Sequence, residues 1–115
     1  MNVAVRQVGD VTILDMEGRL TIGPPVATFA SIVEEVLGAG AKKLALNMAR
    51  LTFVDSSGFG YIMRFYVSTT RIGVKYKLFG VSKLIASDLK VLHLNTVLEL
   101  YEDEDSVLAS FENRG

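Results

Sequence analysis

Asp55, Ser56 and Ser57, followed by Gly58 and Gly60 on either side of Phe59, are the residues whose types and spacing come nearest to a chemical site. They stand in the run Leu51-Thr52-Phe53-Val54-Asp55-Ser56-Ser57-Gly58-Phe59-Gly60, where an apolar segment gives way to a helical pattern. Two hydroxyls and a carboxylate gather at the turn, and two glycines let another backbone approach closely. In a parallel sheet, a strand-to-helix connection can fall at the C-terminal edge of the strands, where open α/β folds bind their ligands. Several chemistries compete for this segment. In the simplest, Asp55, Ser56 or Ser57 caps the helix by accepting backbone N–H bonds. A nucleophilic reading needs His93 as base and an Asp as orienter, but Val54-Asp55-Ser56-Ser57-Gly58 is not the G-x-S-x-G elbow and nothing ties His93 to it. A phosphate cradle lacks its third glycine, because Met63 stands there, and no Gly-Lys-Ser/Thr follows. The remaining reading is a regulated serine: a phosphoryl group adds ~1.5 to 2 negative charges, which a helix N-terminus favours and the neighbouring Asp55 resists.

Two other features invite a chemical reading. Glu99, Glu102, Asp103, Glu104 and Asp105 form an acidic run with no basic residue among them. It lacks the glycine and the alternating oxygen ligands of a calcium loop, and carboxylates are favoured at the start of a helix. His93 is the single histidine and cysteine is absent, so the usual nitrogen and sulfur ligands of zinc cannot be assembled. A surface or loop position is expected for His93, and neither metal nor cofactor is expected anywhere.

The elements that must position the serines follow from periodicity. Val3, Val5 and Val8, then Val11, Ile13, Leu14 and Met16 across Gly9-Asp10, predict an antiparallel hairpin. After Arg19 to Pro25, a helix opened by Pro24 or Pro25 carries Val26, Phe29, Ala30, Val33, Val36 and Leu37 on one face and stops at Gly38-Ala39-Gly40. Leu44, Ala45, Leu46 and Met48 read as a strand buried on both faces. A helix starting at Ser56 or Ser57 sets Phe59, Ile62, Met63, Tyr66 and Val67 in a stripe and ends near Gly73. A strand with Val74, Tyr76, Leu78 and Phe79 follows, alternating with Lys75 and Lys77. Ser82 caps a helix to about Leu92, Val97 to Tyr101 is strand-like, and Asp103 to Phe111 closes the chain as a helix. The fold class is therefore α/β, a mixed and mainly parallel sheet of about five strands with an N-terminal antiparallel hairpin and about four helices.

Composition bounds the function classes. The chain has 115 residues, half of them hydrophobic and 22% charged, which suits one domain over 1–115 and argues against disorder. The longest stretch without a formal charge, Leu20 to Val33, contains two prolines and is shorter than the ~18 apolar residues of a membrane span. No membrane association is expected. Twelve basic against thirteen acidic residues leave a net charge of -1, without the basic excess that direct binding to nucleic acid favours. The N-terminus shows no secretory leader, and with no cysteine a cytoplasmic protein is expected.

Leu46-Asn47-Met48, then Leu51 to Gly60, resembles the strand and the Asp-Ser-Ser/Thr-Gly-apolar-Gly signature of the anti-sigma factor antagonist family, the bacterial form of the STAS domain. The likeness runs from Gly18-Arg19-Leu20 through Leu78-Phe79-Gly80-Val81-Ser82 to the closing acidic helix. The resemblance implies partner switching. Unphosphorylated members bind a protein that is both anti-sigma factor and serine kinase, which frees the sigma factor. Phosphorylation of the serine after the signature Asp ends the binding, and a serine phosphatase restores it. Carried over, Ser56 is the phosphoacceptor, Asp55 shapes its site, Gly58 and Gly60 permit close approach, and Ser57 and Phe59 complete the partner-binding segment. Thr21 stands where the family often has an acidic residue of the docking face, in Gly18-Arg19-Leu20-Thr21. A member of this kind performs no catalysis of its own. The alternatives are a STAS accessory subunit of a transporter or stressosome-type complex that is not phosphorylated and, from another class, a small serine hydrolase.

Overall fold

The computed structural model describes residues 1–112, so the last three residues of the expected 1–115 domain lie outside the described residues. Five strands, β1 (Asn2–Val8), β2 (Val11–Leu20), β3 (Lys43–Val54), β4 (Lys75–Phe79) and β5 (Leu100–Tyr101), form one sheet in sequential order. Only the β1–β2 hairpin is antiparallel. Four helices, α1 (Pro24–Gly38), α2 (Ser56–Arg71), α3 (Lys83–Val91) and α4 (Glu104–Glu112), complete the order expected from the sequence.

The alternating residues of the central strands divide the core into two layers. Leu14, Met16, Leu44, Leu46, Met48 and Leu78 pack with α1, α2 and α3. Ile13, Ala45 and Phe79 turn to the opposite face and meet Val107 and Phe111 of α4. Phe29 of α1 is fully buried and meets Phe65 of α2 edge to face, with ring centroids 5.6 Å apart. Burying such a side chain contributes ~1.5 to 3 kcal/mol. It locks α1 to α2 above the strands that carry the serine segment.

Four local readings are corrected. The β3 strand does not end near Met48; it runs on to Val54, because the end of β2, Gly18 to Leu20, continues alongside and pairs with Leu51 to Val54. On α2 the inward stripe is Gly58, Phe59, Ile62, Phe65 and Thr69, and Val67 is exposed. Thr69 can stand inside because its hydroxyl bonds to the carbonyl of Phe65 at 2.7 Å. Lys77 alternates with its apolar neighbours as expected but is buried, since α4 covers it. Finally, Val97 is exposed and outside any strand: His93 adopts a left-handed conformation (φ 60°), Leu94–Thr96 form a single 3-10 turn, and β5 retains only two residues.

Candidate functional site

The register of β2 and β3 builds the site. Leu20 pairs with Val54, so the two strands end side by side, and the N–H of Asp55 donates to the carbonyl of Leu20 at 3.2 Å. The connections that follow, Thr21 to Gly23 and Asp55 to Ser57, therefore lie together at the C-terminal edge of the parallel strands. Asp55 is the N-cap of α2: Oδ1 accepts the N–H of Gly58 at 2.8 Å, and Oδ2 accepts the N–H of Ile22 at 2.8 Å. These two amide bonds, Ile22 first, hold the carboxyl below the usual carboxylate range.

With the cap filled by Asp55, both serines are left free of that role. Ser56 is the first residue of α2 and is exposed, Ser57 is half-buried, and among the described residues no hydrogen bond engages either hydroxyl. Gly58 is buried beneath them. A Cβ there would lie 2.5 Å from the Leu20 carbonyl oxygen and 2.7 Å from a Val54 methyl, so only glycine lets β2 and α2 come this close. The close approach served by Gly58 is thus within the chain itself. Gly60 is different: nothing lies within 4 Å of a Cβ at that position, and its exposed backbone faces open space. Thr21 is half-buried beside the clamp, its carbonyl accepting the N–H of Val26 at 3.2 Å.

A shallow cavity of about 380 Å³ adjoins Ser56, walled by Phe53, Val54, Asp55 and Phe59 and, from α3, by Asp88, Val91 and Leu92. Val91 is 74% exposed and Ile22 73%, with Phe53 and Leu92 also partly open, and the Arg19 guanidinium covers the Phe53 ring at 4.5 Å from its centroid. This arrangement presents a hydroxyl within an apolar surface. His93 does not line the cavity, so the described geometry does not bring Ser56 together with the base that the nucleophilic reading required. The acidic run is divided: Glu99 precedes β5 and lies 3.6 Å from Lys77 Nζ, whereas Asp103 to Asp105 open α4, where Asp103 accepts the N–H of Ser106 at 2.9 Å, and among the described residues no cluster of acids and histidine has the form of a metal site.

Sequence reasoning brought Asp55, Ser56, Ser57, Gly58, Phe59 and Thr21 to one place but missed Ile22, Val91 and Leu92. A signal for α3 existed: Ile85 and Leu89 form its buried stripe, and Leu84 and Val91 are apolar residues out of phase with it. For Ile22 there was none, since its contribution is a backbone N–H.

A sequentially ordered five-stranded sheet with one antiparallel edge, three helices on one face and one on the other, and a capped serine turn between β3 and α2 defines an α/β module built to present a loop. The sequence profile of the STAS domain matches residues 2–107, and the chain belongs to the STAS domain family. Solved structures agree in fold. A proposed anti-sigma factor antagonist from Thermotoga maritima superposes with a TM-score of 0.89 at 20% identity, covering 96% of this chain and 95% of the other. SpoIIAA of Bacillus in its phosphorylated form gives 0.72 at 17% identity over 95% and 99%. A sulfate transporter family protein from Wolinella succinogenes gives 0.78 at 24% identity over 91% and 87%. Among curated protein sequences there is no match. In the described residues no helix is long and apolar enough to cross a membrane.

Proposed function

We propose that this STAS domain, spanning 1–115 as a single domain, is a cytoplasmic anti-sigma factor antagonist that works by partner switching. In the unphosphorylated state the segment of Asp55, Ser56, Ser57, Gly58, Phe59 and Gly60, with Ser56 and Gly60 at its surface and Gly58 and Phe59 buried beneath them, joins Thr21 in meeting an anti-sigma factor that is also a serine kinase, and the sigma factor is released. Phosphorylation of Ser56 ends the contact, and a serine phosphatase restores it. The protein is a kinase substrate and catalyses nothing itself. The observation that carries this reading is the exposed Ser56 at the first position of α2, relieved of capping by Asp55 and set beside the apolar surface of Phe53, Val91 and Leu92.

The energetics support a switch that acts on binding and leaves the fold intact. A charge at Ser56 gains ~0.3 to 1 kcal/mol from the α2 N-terminus and is opposed by Asp55, so the net effect on stability is small. At a docked apolar surface the same charge, without a cationic partner, costs several kcal/mol. Only about 1.4 kcal/mol is needed for a tenfold loss of affinity. Calorimetric titration with the cognate kinase, on wild type, Ser56→Ala and Ser56→Asp, tests this: Ser56→Asp is expected to melt near wild type and to bind at least about tenfold more weakly. Mass spectrometry after incubation with kinase and ATP should place the phosphate on Ser56. A phosphopeptide abolished by Ser57→Ala and retained by Ser56→Ala would move the assignment by one residue.

The likeness to the sulfate transporter family protein supports a second reading, an accessory STAS subunit that is never phosphorylated. In that case the kinase would leave the chain unmodified, and transporter subunits would co-purify in its place.

A further inference from the structure

The shortness of β5 leaves half of the β4 edge without a neighbour. Leu78 donates its N–H to Glu99 at 3.0 Å, its position pairs with Leu100, and Phe79 pairs with Tyr101. Peptide groups two residues apart on a strand face the same way, so the N–H and C=O of Tyr76 point to the same edge as those of Leu78. The chain that would have met them is diverted by the 3-10 turn, where Val97 and Leu98 both donate back to Leu94. Among the described residues, neither backbone group of Tyr76 has a hydrogen-bond partner along this edge.

A cavity of about 510 Å³ occupies the vacated place, between Tyr66 and Thr70 of α2 and Ser110 of α4. Lys77 stands on its α4 side, 6% exposed, with Nζ donating to Ser110 Oγ at 3.0 Å and to the Ser110 carbonyl at 3.3 Å. The rings of Phe111 and Tyr101 flank the ammonium, with centroids at 4.6 and 5.4 Å. Lys75 shares this face of the strand by alternation and is exposed. The like charge that an acidic ligand meets here is Glu99, whose carboxylate lies 3.6 Å from Nζ and accepts the Tyr101 hydroxyl at 3.0 Å.

We propose that this edge is a docking site for an extended acidic segment of a partner protein, which adds to β4 in line with β5. Tyr76 supplies the backbone N–H and C=O that a new strand needs, and the exposed Lys75 selects an acidic side chain on the α4 side, with the Lys77 ammonium, held by Ser110 and Glu99, adding its field from behind. Lysines on an edge strand also act against unwanted pairing. Two copies joined through β4 would bring lysines against lysines, whereas an acidic strand turns the same residues into attraction. The site lies apart from Ser56 and is independent of its phosphorylation.

Amide hydrogen exchange and chemical shifts of the full chain test this, using a blocked pentapeptide that alternates valine and glutamate as the probe and its valine and lysine counterpart as the control. The glutamate peptide at millimolar concentration is expected to slow exchange of the Tyr76 amide by about tenfold or more and to shift Tyr76 and Leu78 resonances, while the lysine peptide does neither. Lys75→Glu, at an exposed position, should remove the effect with the fold unchanged, and Lys77→Gln should weaken it. Unaltered exchange at Tyr76 with both peptides, or equal protection by both, overturns the proposal. Protection that rises with protein concentration without peptide also overturns it and assigns the edge to a second copy.

Discussion

One carboxylate oxygen of Asp55 accepts the amide of Ile22 at 2.8 Å, tying the loop after β2 to the start of α2 across 33 residues of sequence. The other oxygen caps Gly58, so a single side chain sets the relative position of the two loops that frame Ser56.

Asp55 should therefore matter to both stability and presentation. Asp55→Ala is expected to lower the melting temperature and to speed amide exchange at Ile22 and Gly58 together, whereas loss of an ordinary cap would affect Gly58 alone. The carboxyl is held below its ordinary value in the folded chain, so its stabilising contribution is fully present above the unfolded value, ~3.9, and is lost as pH falls through the folded one. Asp15 behaves likewise, held low first by Arg6, whose guanidinium lies 2.5 Å away. Melts between pH 7 and 3 should fall on the acid side for wild type and fall less steeply for Asp55→Asn and for Asp15→Asn.

The two glycines of the signature should respond in opposite directions. Gly58→Ala forces a methyl against the Leu20 carbonyl and Val54 and is expected to destabilise by ~1 to 3 kcal/mol. Gly60→Ala enters open space inside a helix and is expected to stabilise by ~0.5 to 1 kcal/mol. Chemical denaturation of the two variants reads both values. If Gly60 lies under the partner as proposed, the stabilised variant also binds more weakly.

The α3 side of the apolar surface gives a test that leaves the signature untouched. Val91→Asp alters a residue that is 74% exposed, so the melting temperature should stay close to wild type. Binding of the proposed kinase partner should fall by about tenfold or more if Val91 and Leu92 are docked against it, as a buried unpaired charge requires. Undiminished affinity would restrict the interface to the Asp55–Gly60 turn and the Thr21 loop.

Much of this protein was written along the chain. The alternation of Leu44, Ala45 and Leu46 announced a strand buried on two faces, Pro24 and Ser82 marked the starts of α1 and α3, and the acids after Tyr101 marked α4. The turn from β3 into α2, with its Asp-Ser-Ser-Gly order, was equally legible, because caps and glycines act within a few residues of themselves. What lay beyond reach was whatever depends on a second element coming alongside. Periodicity reports which face of a segment is buried and says nothing of what buries it. For that reason Phe65 and Thr69 displaced Val67 on the inner face of α2, and Lys77 disappeared beneath α4. The same holds for the site: the β2–β3 register placed Leu20 against Val54, and only that placement made Gly58 indispensable, left Gly60 free, and gave Asp55 a second amide to hold at Ile22. Local sequence determined that a serine would stand at a helix start; long-range pairing decided that Asp55 would take the cap and leave that serine facing solvent.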